Sequence, residues 1–159
     1  MQDSIQAVRA YLKAFGMEQK IMELPTSSAT VALAAEALGT EPARIAKTLS
    51  LDLDGTVLLI VCAGDTKIDN AKYKATFHAK AKMLTPDEVP SRVGHAVGGV
   101  CPFAVKEGVS IYLDLSLKRF QTVYPACGST NSAIELAPED IFRISGARDW
   151  VDVCKPAGQ

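Results

Sequence analysis

The chain has 159 residues, with 17 Lys+Arg against 18 Asp+Glu, for a formal net charge of −1 at pH 7. Its 48% hydrophobic and 22% charged residues exclude a disordered, collagenous or coiled-coil chain, and the length predicts one domain over 1–159. The near-neutral charge speaks at first against a nucleic-acid partner, which usually selects a positive excess.

In chain order, Ile5, Val8, Leu12 and Phe15 recur at helical spacing and predict a helix over 3–15 ending at Gly16. The segment carries charges throughout, so neither a secretory signal nor a transit peptide is expected. A second helix is predicted over 30–38, capped by Ser27 or Ser28 and stopped at Gly39. Thr40 and Pro42 open a short third helix reaching about Ala46, which places Lys47 where a helix hands over to a strand. Residues 48–53 alternate, Asp54-Gly55 is a type I′ turn pair and Val57–Ala63 is a buried apolar run, so 48–63 is predicted as a hairpin.

Asp69 is placed to cap a helix over 70–78, followed by a short strand over 80–84. Thr85-Pro86-Asp87-Glu88 reads as a capping box that starts a small helix. Three glycines and a proline in residues 94–103 predict a loop. Strands are expected at 109–113, 122–124, 133–136 and 150–153, with a helical turn at 138–142. Several strands follow one another without helices between them. The expected fold is therefore α/β with a mixed, mostly antiparallel sheet wrapped by helices.

The longest apolar run, Val57–Ala63, is too short to span a bilayer, so no membrane partner is expected. Cys62, Cys101, Cys127 and Cys154 form no CxxC pair, and His78 and His95 have no neighbours at zinc spacing. No metal, cofactor or disulfide is expected, and the compartment is read as cytoplasmic. No GxSxG, Walker or GxGxxG pattern occurs. Cys101 with His95 six residues upstream is a candidate nucleophile pair, against the alternative of a small side chain packed inward.

Three further features carry chemistry. The Gly98-Gly99-Val100-Cys101-Pro102 run can turn successive N–H groups toward one point as an anion nest or oxyanion hole, or is an ordinary tight connection. Lys47 can contact a phosphate or carbonyl, or simply favour a helix C-terminus. Residues 67–82 hold Lys67, Lys72, Lys74, Lys80 and Lys82 against Asp69, which leaves +4 there and −5 over the remainder. That stretch is a solvated face or a track for a phosphate backbone.

Together, residues 34–49 (AAEALGTEPARIAKTL), 64–69 (GDTKID), 98–103 (GGVCPF) and 112–117 (YLDLSL) resemble the YbaK/prolyl-tRNA synthetase-associated domain family of editing domains, in the family's order and across roughly 20–142. The resemblance implies a mixed α/β fold and a pocket for the 3′ end of an aminoacyl-tRNA. It implies an aminoacyl-tRNA deacylase acting in trans on a small amino acid such as Cys, Ala or Ser on a non-cognate tRNA, tRNA-Pro included. It gives Lys47 the role of the critical lysine and the Gly98–Pro102 main chain that of binding the ester or ribose. No protein nucleophile is implied, because a ribose hydroxyl of the substrate assists the attacking water. An aminoacyl-tRNA synthetase is a further partner the resemblance allows, and Lys67, Lys72, Lys74, Ser129 and Asn131 are candidate substrate or tRNA contacts. The segment 126–132 (ACGSTNS) departs from the family, lacking both the histidine of alanine-clearing members and the basic stretch and following acid of cysteinyl-tRNA(Pro) deacylases; Ala133 stands where that acid falls. The alternative reading is a non-catalytic module that binds RNA ends or a synthetase.

Overall fold

The structure is a computed structural model describing residues 4–158. The predicted hairpin is its spine. Strand β2 (Ile45–Leu53) pairs antiparallel with β3 (Thr56–Ala63) from Ala46↔Ala63 to Leu53↔Thr56. The turn between them has positive φ at Asp54 (51°) and Gly55 (88°), as a type I′ turn requires. β3 is covered on both faces, which is why it reads as a continuous apolar run rather than an alternating one. Leu59, Val61 and Ala63 enter the larger core, whereas Leu58, Ile60 and Cys62 enter a second cluster around Tyr73 and Val153.

Three more strands complete a five-stranded sheet in the order β6-β2-β3-β5-β8, namely β5 (Ser110–Asp114), β6 (Tyr124–Pro125) and β8 (Asp149–Val151). These three join their neighbours in parallel, while the long β2–β3 ladder is antiparallel. Two antiparallel ribbons flank the sheet. One pairs β1 (Met22–Glu23) with β7 (Ser132–Ala133), the other β4 (Thr66–Ile68) with β9 (Cys154–Pro156). With helices around it, the sheet is the mixed α/β architecture expected from the sequence.

The helices are α1 (Ile5–Lys13), α2 (Val31–Leu38), α3 (Asn70–Phe77), α4 (Val89–Val93) and α5 (Pro138–Ser145). Asp69 caps α3, accepting from the N–H groups of Ala71 and Lys72. Residue 3, included in the first predicted helix, lies outside the described residues.

Several local expectations are corrected. Thr30, rather than Ser27 or Ser28, caps α2, accepting from Leu33 N–H at 3.2 Å. The third helix is a single 3-10 turn, Pro42–Arg44, and β2 begins at Ile45, so Lys47 sits inside a strand and not at a helix end. Arg44 makes this possible by donating to the Thr122 carbonyl and hydroxyl and to Glu135, which pins the turn beside β6. Residues 80–84 form no named strand; they touch β2 through Lys82 and Leu84 main-chain bonds and one bridge at Met83. The α4 helix starts after Glu88, and Thr85 bonds the Glu88 carboxylate through both its N–H and its hydroxyl. The last helical turn extends to Ser145, and the strand near the end spans Asp149–Val151.

Candidate active site

The β2 strand has one fully paired edge and one interrupted edge, and the interruption creates the site. On the second edge, β6 pairs only at Ile45 and Ala46, and residues 82–84 take over from Ser50. Between them the edge is open at Thr48. A pocket of about 300 Å³ lies there. Its walls come from α2 (Val31, Ala34, Leu38), from the 45–50 run of β2, from Tyr124 and the β7 residues Ser132 and Ala133, and from the loop residues Gly98 and Val100. Met83 and Val97, 51% and 53% exposed, are also among its lining residues.

Lys47 is the one charged side chain lining this pocket among the described residues, and no carboxylate accompanies it. Its Nζ donates to the main-chain carbonyl of Thr66 at the start of β4. That carbonyl is held by a braced turn. The Thr66 hydroxyl donates back to the Ala63 carbonyl at 2.7 Å, and Arg119 grips Asp65 through two bonds of 2.6 and 3.1 Å. The Arg119 guanidinium beside Asp65 holds its carboxyl below the usual carboxylate range. Asp114 extends the bracing, accepting from Ser116 and Val153 N–H groups, while Ser116 Oγ accepts from Ala63 N–H.

Gly64 in this turn is dictated by packing. A Cβ there would fall 2.2 Å from the Pro42 carbonyl oxygen and 2.8 Å from Val31 Cγ1. The turn that supplies Lys47 with its acceptor is thus pressed directly against the segment that leads into β2.

The glycine loop divides between pocket and support. Gly98 (φ 90°) and Val100 line the pocket. Gly99 packs on the chain at Gly128 and Ser129, where a Cβ would approach within 2.7 Å, and its N–H closes a turn on the Ala96 carbonyl at 3.0 Å. The Gly99 N–H is therefore engaged internally, and of the expected nest the pocket-lining members are Gly98 and Val100. Cys101 and Pro102 are buried behind the loop.

The Cys101–His95 pair exists but is sealed. Cys101 Sγ lies 3.5 Å from His95 Nε2, and both residues are fully buried. His95 Nε2 donates to the Phe103 carbonyl at 2.7 Å, while Nδ1 meets the Ser4 hydroxyl. Burial lowers the imidazole pKa and pushes the Cys101 thiol up to about 12. A thiol so placed is a packed side chain, not a nucleophile.

The remaining candidates stand back from the pocket. Ser129 is buried and bonds the Ser132 hydroxyl at 2.6 Å, and Asn131 donates to the Leu24 carbonyl at 3.1 Å, so both brace the wall that Ser132 and Ala133 present. Lys67 and Lys74 are exposed, on β4 and α3. Lys72 is paired with Asp152 at 3.0 Å and also donates to the Cys154 carbonyl. Thr48, which no sequence motif marks, is the lining residue whose Oγ1 is buried without a hydrogen-bond partner. The alternation of 48–53 gives its face, but no local signal makes it part of a pocket. Among the described residues no His/Cys/Asp/Glu group could hold a metal, and no helix is long and apolar enough to cross a membrane.

Comparison with known proteins agrees with this architecture. The family model for the aminoacyl-tRNA editing domain matches residues 26–144. The chain is 52% identical over 153 residues to "Uncharacterized protein YwhH" of Bacillus subtilis (strain 168), covering 96% of this chain and 98% of that protein. It is 30% identical over 117 residues to "Putative Cys-tRNA(Pro)/Cys-tRNA(Cys) deacylase EbsC" of Enterococcus faecalis (strain ATCC 700802 / V583), covering 72% of this chain and 71% of that protein. A solved structure described as "a putative trans-editing enzyme for prolyl tRNA synthetase" superposes with a TM-score of 0.86 at 28% identity, covering 98% of this chain and 99% of that one. The matched span contains Lys47, the braced 63–66 turn, the glycine loop and every wall of the pocket, and the chain belongs to the aminoacyl-tRNA editing domain family.

Proposed function

We propose that this chain, acting as one editing domain, is a trans-acting hydrolase that deacylates mischarged aminoacyl-tRNA carrying a small amino acid. The observation that carries the reading is Lys47, a single cation in a pocket of mostly small and apolar residues that Gly98 and Val100 also line. An aminoacyl ester needs little more than positioning and a positive group near the oxygen on which charge develops. Water adds to the ester carbonyl, the carbon–oxygen bond to the ribose breaks, and the ribose oxygen leaves with a proton, giving free amino acid and uncharged tRNA. The neighbouring ribose hydroxyl of the substrate orients the water. No protein nucleophile is called for, consistent with the buried state of Cys101.

The pocket favours a small side chain, because a volume of about 300 Å³ leaves little room beyond the terminal nucleoside. Alanine, serine and cysteine are the expected amino acids, with tRNA-Pro among the carriers and a synthetase as the docking partner. The test is a panel of mischarged tRNAs with release of labelled amino acid as the readout. Hydrolysis of small-residue esters, lost in Lys47→Ala while tRNA binding changes less than about threefold, supports the reading. Binding without turnover on every substrate replaces it with an RNA-end or synthetase-binding module.

A further inference from the structure

The pocket has a second polar pole that the lysine does not explain. In the β2–β3 ladder, Ser50 and Asp52 direct their main-chain groups away from β3, toward Leu84 and Lys82. Antiparallel alternation gives Thr48 the same outward orientation. Because β6 ends its pairing at Ala46 and residues 82–84 begin theirs at Ser50, the outward N–H and C=O of Thr48 face the pocket at the open edge. The Thr48 hydroxyl adds a third group at the same residue, buried and without a partner. Three hydroxyls on the pocket wall are used: Ser28 donates to the Thr130 carbonyl, Thr30 caps α2, and Ser132 bonds Ser129. Buried hydroxyls are ordinarily satisfied, so this one is left free to turn toward a ligand in the cavity.

An aminoacyl ester has its acceptors at the carbonyl and ester oxygens and its donor at the α-amino group. The pocket has the complementary division, a cationic donor at Lys47 and acceptors on the adjacent residue. No carboxylate lines the cavity, so the amino group has only neutral acceptors available. We propose that Thr48 binds the free α-amino group of the substrate through its main-chain carbonyl and, after a χ1 rotation toward the cavity, its hydroxyl, with Lys47 at the ester end. This assignment rests on the deacylase reading and extends it: the substrate class is an ester with an unblocked amino group, and des-amino or N-blocked esters are poor ligands.

The test uses two non-hydrolysable probes, 3′-alanylamino-3′-deoxyadenosine and its 3′-propionylamino counterpart, which differ only in the amino group. Calorimetric titration of the wild-type protein is expected to give at least about tenfold tighter binding of the alanyl probe, the scale of a hydrogen bond to a charged or polar donor. In Thr48→Val the alanyl probe weakens by about tenfold and the propionyl probe does not change, whereas Thr48→Ser keeps the preference. Thr48→Val also melts no lower than wild type, since it replaces an unsatisfied buried hydroxyl by a methyl. Equal binding of the two probes by wild type, equal loss of both in Thr48→Val, or a clear fall in its melting temperature overturns the inference and leaves the deacylase reading standing. Failure of wild type to bind either probe overturns both. Probe discrimination without turnover on any aminoacyl-tRNA keeps the amino-group site and overturns only the hydrolase.

Discussion

Lys47 on β2 donates from Nζ to the main-chain carbonyl of Thr66, so the pocket's cation is oriented by a turn 19 residues further along the chain. A lysine has several rotatable bonds, and a fixed acceptor removes most of that freedom before substrate arrives. Lys47→Ala should lower kcat/KM for deacylation by about 10²–10³-fold, the range found on removing one oxyanion-stabilising donor. Its unfolding free energy should fall by only about 1 kcal/mol, measured by urea titration. Lys47→Arg should not restore activity, because a planar guanidinium presents its donors in a different geometry.

Gly64→Ala is expected to reach the same chemistry through packing. The added methyl would meet the Pro42 carbonyl and Val31, and the turn has to shift. A loss of about 1–3 kcal/mol in urea unfolding, together with reduced turnover as the Thr66 carbonyl moves, is the expected outcome. Full stability with full activity would show that the turn yields freely.

Cys101→Ala should keep deacylation within about threefold of wild type, since its buried side chain does not line the pocket. The native protein should resist thiol alkylation at Cys101 near neutral pH, where burial keeps the thiol protonated, and label there only on unfolding. Rapid inactivation by an alkylating reagent that maps to Cys101 would return the thiol-enzyme reading.

His95 makes stability depend on pH in a defined direction. Burial lowers its folded pKa, so the unfolded chain takes up the proton first as pH falls. The contribution is complete above the unfolded value, about 6.5, and is lost as pH drops from there toward the folded pKa. Urea midpoints should therefore decline on going from pH 7.5 to 5.5, and His95→Gln should flatten that decline.

The lysines of residues 67–82 should separate by their surroundings. Lys67→Ala and Lys74→Ala are exposed changes expected to weaken tRNA binding modestly. Each should also make binding less sensitive to salt, lowering the slope of log affinity against log salt by about one for every phosphate no longer neutralised. Lys72→Ala should act mainly on folding, since its ammonium is committed to Asp152 and to the Cys154 carbonyl. Fluorescence titration at several salt concentrations, beside thermal unfolding, distinguishes the two.

Local chemistry is legible in the sequence wherever a few residues suffice to determine it. The Asp54-Gly55 turn, the Asp69 cap and the two-sided burial of Val57–Ala63 follow from turn dihedrals, capping and hydrophobic pattern, and each is present. Sequence pattern singles out Lys47, but for a helix terminus it does not occupy. Its placement inside β2 depends on Arg44 reaching Thr122 and Glu135, partners 78 and 91 residues away. Likewise the spacing of His95 and Cys101 allows a nucleophile pair, and only burial turns it into core.

The sequence by itself determined the hairpin and the glycine loop and marked Lys47 as a candidate, because these rest on short-range sterics and patterning. The tertiary structure decided which strands join in parallel, where the edge of β2 lies open, and that Thr48 stands there with an unpartnered hydroxyl. The reason is physical: a pocket whose walls come from segments as far apart as Ser28 and Ala133 exists only once packing has brought them together, and no local pattern encodes the space between them.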